Sequence, residues 1–241
     1  MTIHYIYHSC YAVETDQLLL VYDYWKDSPD QRLQRLLDQR GDRVLYFVVS
    51  HFHEDHYNPA ILDIADARLL LSYDTVKRRR VLKERPTAIL RPDERYSDEL
   101  LTLHALHSTD VGISSLTFLA DGTSLYHAGD NNNWYFPEEP GEHIHCSLHE
   151  MEGLFLSTVR AVRKLTPTVD HLMFPIDPRL GSEMLRGVCQ WMQQVAARHL
   201  YPMHSWDHYD ELVQPLQQLS QLFPETAIIF ERGPSAACSP S

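Results

Sequence analysis

His51-Phe52-His53-Glu54-Asp55-His56 is the stretch whose reading decides the fold. The apolar run Val44-Leu45-Tyr46-Phe47-Val48-Val49 precedes it and reads as a strand buried on both faces. Asn58-Pro59 follows, and proline suits the first turn of a helix. The hexapeptide therefore sits on a loop pinned at both ends, between a strand and a helix. Where the backbone is still extended, side chains two apart share a face, so His51, His53 and Asp55 can converge. His56 then turns in from the other side. Three imidazoles and a carboxylate are donors that zinc accepts. A polar loop or a helix cap would explain one or two of these histidines, but not all four donors at this spacing. We read a metal site, with Glu54 pointing to solvent.

A site for two ions needs more donors, and strand ends are where they are expected. His127-Ala128-Gly129-Asp130 closes one strand, and the glycine permits a tight turn. Asp130 is the candidate bridging carboxylate, and His127 is expected to lie behind it. Tyr201-Pro202-Met203-His204 closes another strand and offers His204. His107 ends the segment Leu100–His107, with His104 as its competitor in the alternative register.

Around these points the chain reads as strands first, then strands alternating with helices. Strands are expected over 2–7, 11–14, 17–22, 68–73, 87–90, 100–107, 113–120 and 124–127. A helix is expected over Asp30–Gln39. Helices over 150–165, 181–197 and 210–222 then alternate with strands over 170–176, 199–203 and 227–231. No linker or tandem repeat interrupts the pattern. The expectation is one α/β (α+β) domain over 1–232, with sheets inside and helices outside, and a flexible tail over 233–241.

Composition is that of an ordinary soluble globular protein: of 241 residues, 44% are apolar and 22% charged. No apolar run approaches the roughly 18 residues of a membrane span. The opening residues lack a signal peptide's features, and Cys10, Cys146, Cys189 and Cys238 form no C-x-x-C pair. A cytoplasmic location is the expectation. A net charge of −12 argues against a nucleic-acid partner. The basic stretch Lys77 to Arg85 reads as a solvated helix face. A small-molecule substrate is expected, and a homo-oligomer stays open.

H-x-H-x-D-H, a histidine before a small-residue turn, Gly129-Asp130 after a strand, and a late histidine resemble, in this order, the metallo-β-lactamase superfamily. The resemblance spans about residues 4–231. It implies an αββα sandwich of two mixed sheets packed face to face, with helices on the outer faces. It further implies His51, His53 and His107 on one metal, Asp55, His56 and His204 on the second, and Asp130 between them. His8-Ser9-Cys10 and the run Leu19 to Asp23 are similar to segments of a small lactonase-like branch that includes L-ascorbate-6-phosphate lactonase. Tyr7 and Leu106-His107-Ser108-Thr109-Asp110 depart from that pattern.

The chemistry expected is hydrolysis of a small ester, lactone or phosphodiester by hydroxide held on two divalent ions. Zinc is the first choice; manganese or iron are alternatives. Asp55 is the catalytic candidate, able to orient the water and pass on its proton. Candidates for substrate contact are His8, Asn131, Asn132, Trp134, Asp177, Arg179 and Trp206. The rival readings are an iron-dependent oxidoreductase on the same fold and a metal-dependent nuclease.

Overall fold

The computed structural model describes residues 1–136 and 148–231. The tail expected over 233–241 lies outside them. The first half builds β1 (Thr2–Tyr7), β2 (Cys10–Glu14), β3 (Leu18–Tyr22), α1 (Arg32–Asp38), β4 (Val44–Val49), β5 (Arg68–Ser72), α2 (Tyr73–Arg78) and β6 (Ala88–Leu90). Their strands form one sheet in sequence order: β1 to β3 pair antiparallel, and β3 to β6 parallel.

The second half builds β7 (Arg95–Ser97), β8 (Leu101–Leu106), β9 (Ser114–Leu119), β10 (Ser124–His127), α3 (Leu148–Leu165), β11 (Thr168–Pro175), α4 (Arg186–Met192), β12 (Ala196–Met203), α5 (Tyr209–Leu222) and β13 (Ala227–Ile228). Here the order is β13-β12-β11-β10-β9-β8-β7, with β7 to β10 antiparallel and β10 to β13 parallel.

The period of two along β3 shows how the layers stack. Leu18, Leu20 and Tyr22 join a core with Leu101, Leu103 and Leu125 of the other sheet. Tyr22 spans the gap, donating to Thr117 Oγ1 at 2.9 Å. Leu19 and Val21 face the opposite way, into a core with Leu33 of α1 and with Leu45, Phe47 and Val49 of β4. Each face of β3 is covered, so its sequence is an unbroken apolar run rather than an alternation. On the far side, Phe155 of α3 meets Phe174 of β11 and Trp191 of α4 meets Tyr126 of β10. Two mixed sheets packed face to face, with helices outside, are thus what the sequence leads one to expect.

Three departures matter most. The helix expected over 181–197 is confined to α4, because Gly181 turns the chain at φ 53° and Ala196 and Ala197 pair with Thr168 and Val169. Strand pairing overrides helical periodicity there. The final strand is shorter than 227–231, pairing only at Ala227 and Ile228. The short strand β7 was not expected, being three residues of mostly polar sequence.

The strand ends position the site. The parallel strands β3 and β4 and the parallel strands β10, β11 and β12 deliver their C-terminal ends to one edge of the sandwich. Parallel sheets characteristically present chemistry there. The basic stretch after α2 braces this edge: Arg79 Nε donates to Phe52 O at 2.7 Å, and Arg85 donates to Leu62 O and Ile64 O. Those contacts hold the loops around the hexapeptide, so these two arginines are not a free basic surface.

Candidate metal centre

Two groups of donors meet at this edge. One is His8, Asp55, His56 and His204; the other is His51, His53, Asp110 and Asp130. Asp130 faces both. Its Oδ1 lies 3.1 Å from His56 Nε2 and 3.4 Å from His204 Nε2, while its Oδ2 lies 3.6 Å from His51 Nε2. In the first group, Asp55 Oδ2 is 3.3 Å from His8 Nε2 and 3.7 Å from His56 Nε2. In the second, His53 Nδ1 is 3.0 Å from His51 Nε2 and 3.3 Å from Asp110 Oδ2.

Neighbouring side chains fix which nitrogen of each ring is bare. Asp23, wholly buried, accepts from Ser50 N, Ser50 Oγ and His56 Nδ1 at 2.7, 2.6 and 2.8 Å. Because Ser50 Oγ spends its proton on Asp23, it accepts from His51 Nδ1 at 2.9 Å. His204 Nδ1 donates to Asp177 Oδ2 at 2.8 Å. Each ring thereby turns a lone pair on Nε2 into the centre, the usual way a carboxylate or hydroxyl orients a metal-binding histidine. His127 has the reverse arrangement. Its Nε2 donates to Ser9 O, its Nδ1 accepts from Gly129 N, and its ring stacks on Tyr22, so it is a structural support.

Do these residues suit metal ions? His8 Nε2, His56 Nε2, His204 Nε2 and Asp130 Oδ1 are all buried without a hydrogen-bond partner. Buried acceptors facing one another are costly unless a cation lies between them. Donors about 2.1 Å from a tetrahedral ion lie about 3.4 Å apart, and the separations above bracket that value. The donor set fits.

Without ions, protons take up the charge. Burial opposes a charge on His56 and His204, but Asp130 and the orienting carboxylates outweigh it. They push His56 well above the ordinary histidine value and His204 up to about 9. Burial lowers His51 and His8 to about 4. Burial would raise Asp130, but the imidazoles around it hold it well below the usual carboxylate range. Asp177 is lowered to about 2, where the His204 and Arg179 contacts overcome burial.

The geometry is held by strained backbone. His8, Asp23, His204, Trp206 and Asp207 all take positive φ, five of the eight such non-glycine residues among those described. His204 N donates to His8 O at 3.2 Å, tying two of these turns together. Gly112, at φ +75°, rests on the hexapeptide: a Cβ there would lie 2.1 Å from Ser50 O.

The structure does not bring His107 to the centre. β8 ends at Leu106, and the His107 side chain is 65% exposed, with Nε2 3.2 Å from Asp93. His104 also lies elsewhere, half-buried beside Phe118. Thr109 Oγ1 instead donates to Asn132 O at 2.7 Å, and Ile113 N to Ser50 O at 2.9 Å, which draws Asp110 in. His107→Ala is therefore expected to leave metal content unchanged, whereas Asp110→Ala lowers it; elemental analysis of the two variants decides.

Other expected contacts are redistributed. His8 joins the donors rather than a substrate rim. Asn131 and Asn132 are buried, with Asn131 Nδ2 on Tyr126 OH and Asn132 packed against Gly187, so they support the loop and do not line the mouth. Asp177 is inside, holding His204 and taking a two-pronged contact from Arg179 at 2.6 and 3.0 Å. Arg179 lies 4.9 Å over Trp206, whose ring is 4.4 Å from His8. Trp134 is 5.6 Å from His204 and donates to Asp130 O. Asp23 and Asp110 were missed as site residues. Asp23 ends an apolar strand, and Asp110 closes the departure Leu106–Asp110; those were the only signals.

Comparisons with known proteins agree with this architecture. Residues 2–204 match the model of the beta-lactamase superfamily domain. No curated protein matches the chain by sequence. Igni18, a metallo hydrolase from Ignicoccus hospitalis, superposes with a TM-score of 0.65 at 17% identity, over 96% of this chain and 94% of its own. CmlA, a diiron beta-hydroxylase from Streptomyces venezuelae, gives 0.61 at 13% identity, over 95% of this chain and 52% of its own. An isothiocyanate hydrolase from Delia radicum gut bacteria gives 0.55 at 12%, over 97% of both chains. At these identities the likeness is one of fold.

Proposed function

The chain belongs to the beta-lactamase superfamily, and from that premise we propose that it is a metal-dependent hydrolase of a small ester, lactone or phosphodiester. One observation supports this above the others: Asp130 offers one carboxylate oxygen to each of two donor groups. In this reading His51, His53 and Asp110 would hold one ion, and His8, Asp55, His56 and His204 the other, with Asp130 shared. When bound, such a pair supplies Lewis acidity and lowers the pKa of a water to about 7.

The chain's own residues do the rest. Asp23, Ser50 and Asp177 keep the imidazoles in the donor tautomer. Asp55 is 18% exposed and faces the mouth, so its carboxylate can orient the attacking water and accept its proton. Trp134 and Trp206 lie 5.6 and 5.3 Å from the His204 ring and would narrow water's access to the donors. Among the described residues the free cysteines are Cys10, whose thiol burial pushes well up, and Cys189, also raised by burial; neither is a ready nucleophile. The early His8 segment is the ground for placing the chain near lactonase-like relatives, so lactones head the substrates to be screened.

Activity is expected to vanish on dialysis against a chelator and to return with zinc or manganese, across a panel of lactones, thioesters and phosphodiesters. Turnover that survives complete metal removal contradicts the reading. Loading should also release protons at neutral pH, because His56 and His204 must give theirs up to bind an ion. His204's raised pKa stabilises the metal-free fold fully below the ordinary 6.5, and that contribution is lost as pH rises through about 9. Metal-free protein should therefore melt at a lower temperature at pH 9.5 than at pH 6.5, and calorimetry should see proton release fade over that interval.

An iron-dependent oxidoreductase is the second reading. It rests on Asp110 giving one donor group the two-histidine, carboxylate-rich character that suits ferrous iron. Iron content and visible absorption of the purified protein separate it from the first.

A further inference from the structure

We propose that the two halves of the centre are unequal. The His8, Asp55, His56 and His204 half holds its ion tightly, and the His51, His53 and Asp110 half holds an exchangeable ion and accepts manganese or ferrous iron more readily than the enclosed half does. This rests on the two-ion reading above, and three independent features of the structure lead to it.

Burial differs first. In the first half His8, His56 and His204 are 0–3% exposed and Asp55 18%, whereas in the second only His51 is fully buried, with His53 42% and Asp110 34% exposed. An ion in the second half sits against open solvent, where water competes for its coordination and escape is short. The orienting contacts differ as well. His56 and His204 each donate to a buried carboxylate, Asp23 and Asp177. His51 donates only to the neutral hydroxyl of Ser50. A carboxylate behind an imidazole raises its basicity and fixes its ring, and losing such a partner costs about 10–100-fold in metal affinity.

Donor chemistry is the third feature. The enclosed half offers three imidazoles with Asp55 and one oxygen of Asp130. The open half offers two imidazoles with Asp110 and the other oxygen of Asp130. A histidine at Asp110's place would have given each half three imidazoles. With two imidazoles against three and two carboxylates in each, the open half is the more oxygen-rich in proportion, which narrows zinc's advantage over harder ions. The open half thus differs in both strength and kind.

The test is a titration of metal-free protein with zinc and manganese, followed by elemental analysis and by the manganese electron paramagnetic resonance signal. With one equivalent of zinc followed by excess manganese, one zinc in the enclosed half and one manganese in the open half are expected per chain. A competing chelator should remove the second ion at least a hundredfold more easily than the first. Asp110→His should weaken manganese in the open half and reduce the bound-manganese signal under the same loading. His53→Ala should remove the exchangeable ion alone, and melting curves establish that both variants fold.

Two zincs held with indistinguishable affinity overturn the inequality, as does manganese bound undiminished in Asp110→His. Loss of the tight ion in His53→Ala does so too. These outcomes are read without substrate, so they are distinct from failure of the hydrolase reading, which would show as fully loaded protein that turns over nothing in the panel.

Discussion

Asp130→Ala will leave less than one ion per chain and reduce kcat/KM about a thousandfold or more. Among the described residues Asp130 is the one carboxylate that reaches both donor sets, with Oδ1 3.1 Å from His56 and Oδ2 3.6 Å from His51. Removing it takes an anionic donor from each half and leaves His51, His56 and His204 facing one another across an uncompensated gap. Metal catalysis of this type contributes several kcal/mol of transition-state stabilisation, and each 1.36 kcal/mol is about tenfold in rate. Elemental analysis and steady-state kinetics on the same preparation check both parts. Glu54→Ala is the control, because Glu54 is 85% exposed and reaches no donor of the centre. Full metal content in Asp130→Ala would remove the shared carboxylate from the account.

Asp23→Ala should be the most destabilising single change near the site. Asp23 is buried and accepts three hydrogen bonds, from Ser50 N, Ser50 Oγ and His56 Nδ1. Its loss strands those donors and frees the His56 ring to turn. Breaking a buried charged pair on one side costs about 3–5 kcal/mol. For a domain of this size that is a fall in Tm of about 10 °C. Metal affinity should fall about 10–100-fold as well. Asp23→Asn separates the two effects: it keeps an acceptor for Ser50, so most of the stability should return, while the weaker acceptor leaves affinity low. Differential scanning calorimetry with and without metal reads both.

What the sequence made legible was local. The hexapeptide lies between a buried strand and a turn, so its four donors had to share one loop. Asp130 and His204 follow apolar runs that end abruptly, and strand ends gather at one edge of a parallel sheet. Sheets inside and helices outside followed from the order of periodicities, and the αββα sandwich from the resemblance to the metallo-β-lactamase superfamily. The parts that escaped depend on register and on contacts distant in sequence. His107 and Asp110 are three residues apart, and which one enters is set by β8 ending at Leu106 and by Gly112 lying against Ser50. That contact is invisible in the sequence. His8 reaches His204 because the turn between β1 and β2 meets the end of β12, where His204 N donates to His8 O and Tyr11 OH to Pro202 O. Asp23 and Asp177 read as polar ends of strands or loops until the rings they orient are in place. The helix expected over 181–197 failed for a related reason, since Ala196 and Ala197 are claimed by pairing with β11.

The central claim is a two-ion centre divided by Asp130, with Asp110 rather than His107 completing the open half. The most direct measurement is anomalous diffraction from crystals of metal-loaded protein. The account predicts two peaks on opposite sides of the Asp130 carboxylate, one enclosed by His8, Asp55, His56 and His204 and one by His51, His53 and Asp110. A single peak, or a second one ligated by His107 with Asp110 turned away, would contradict it.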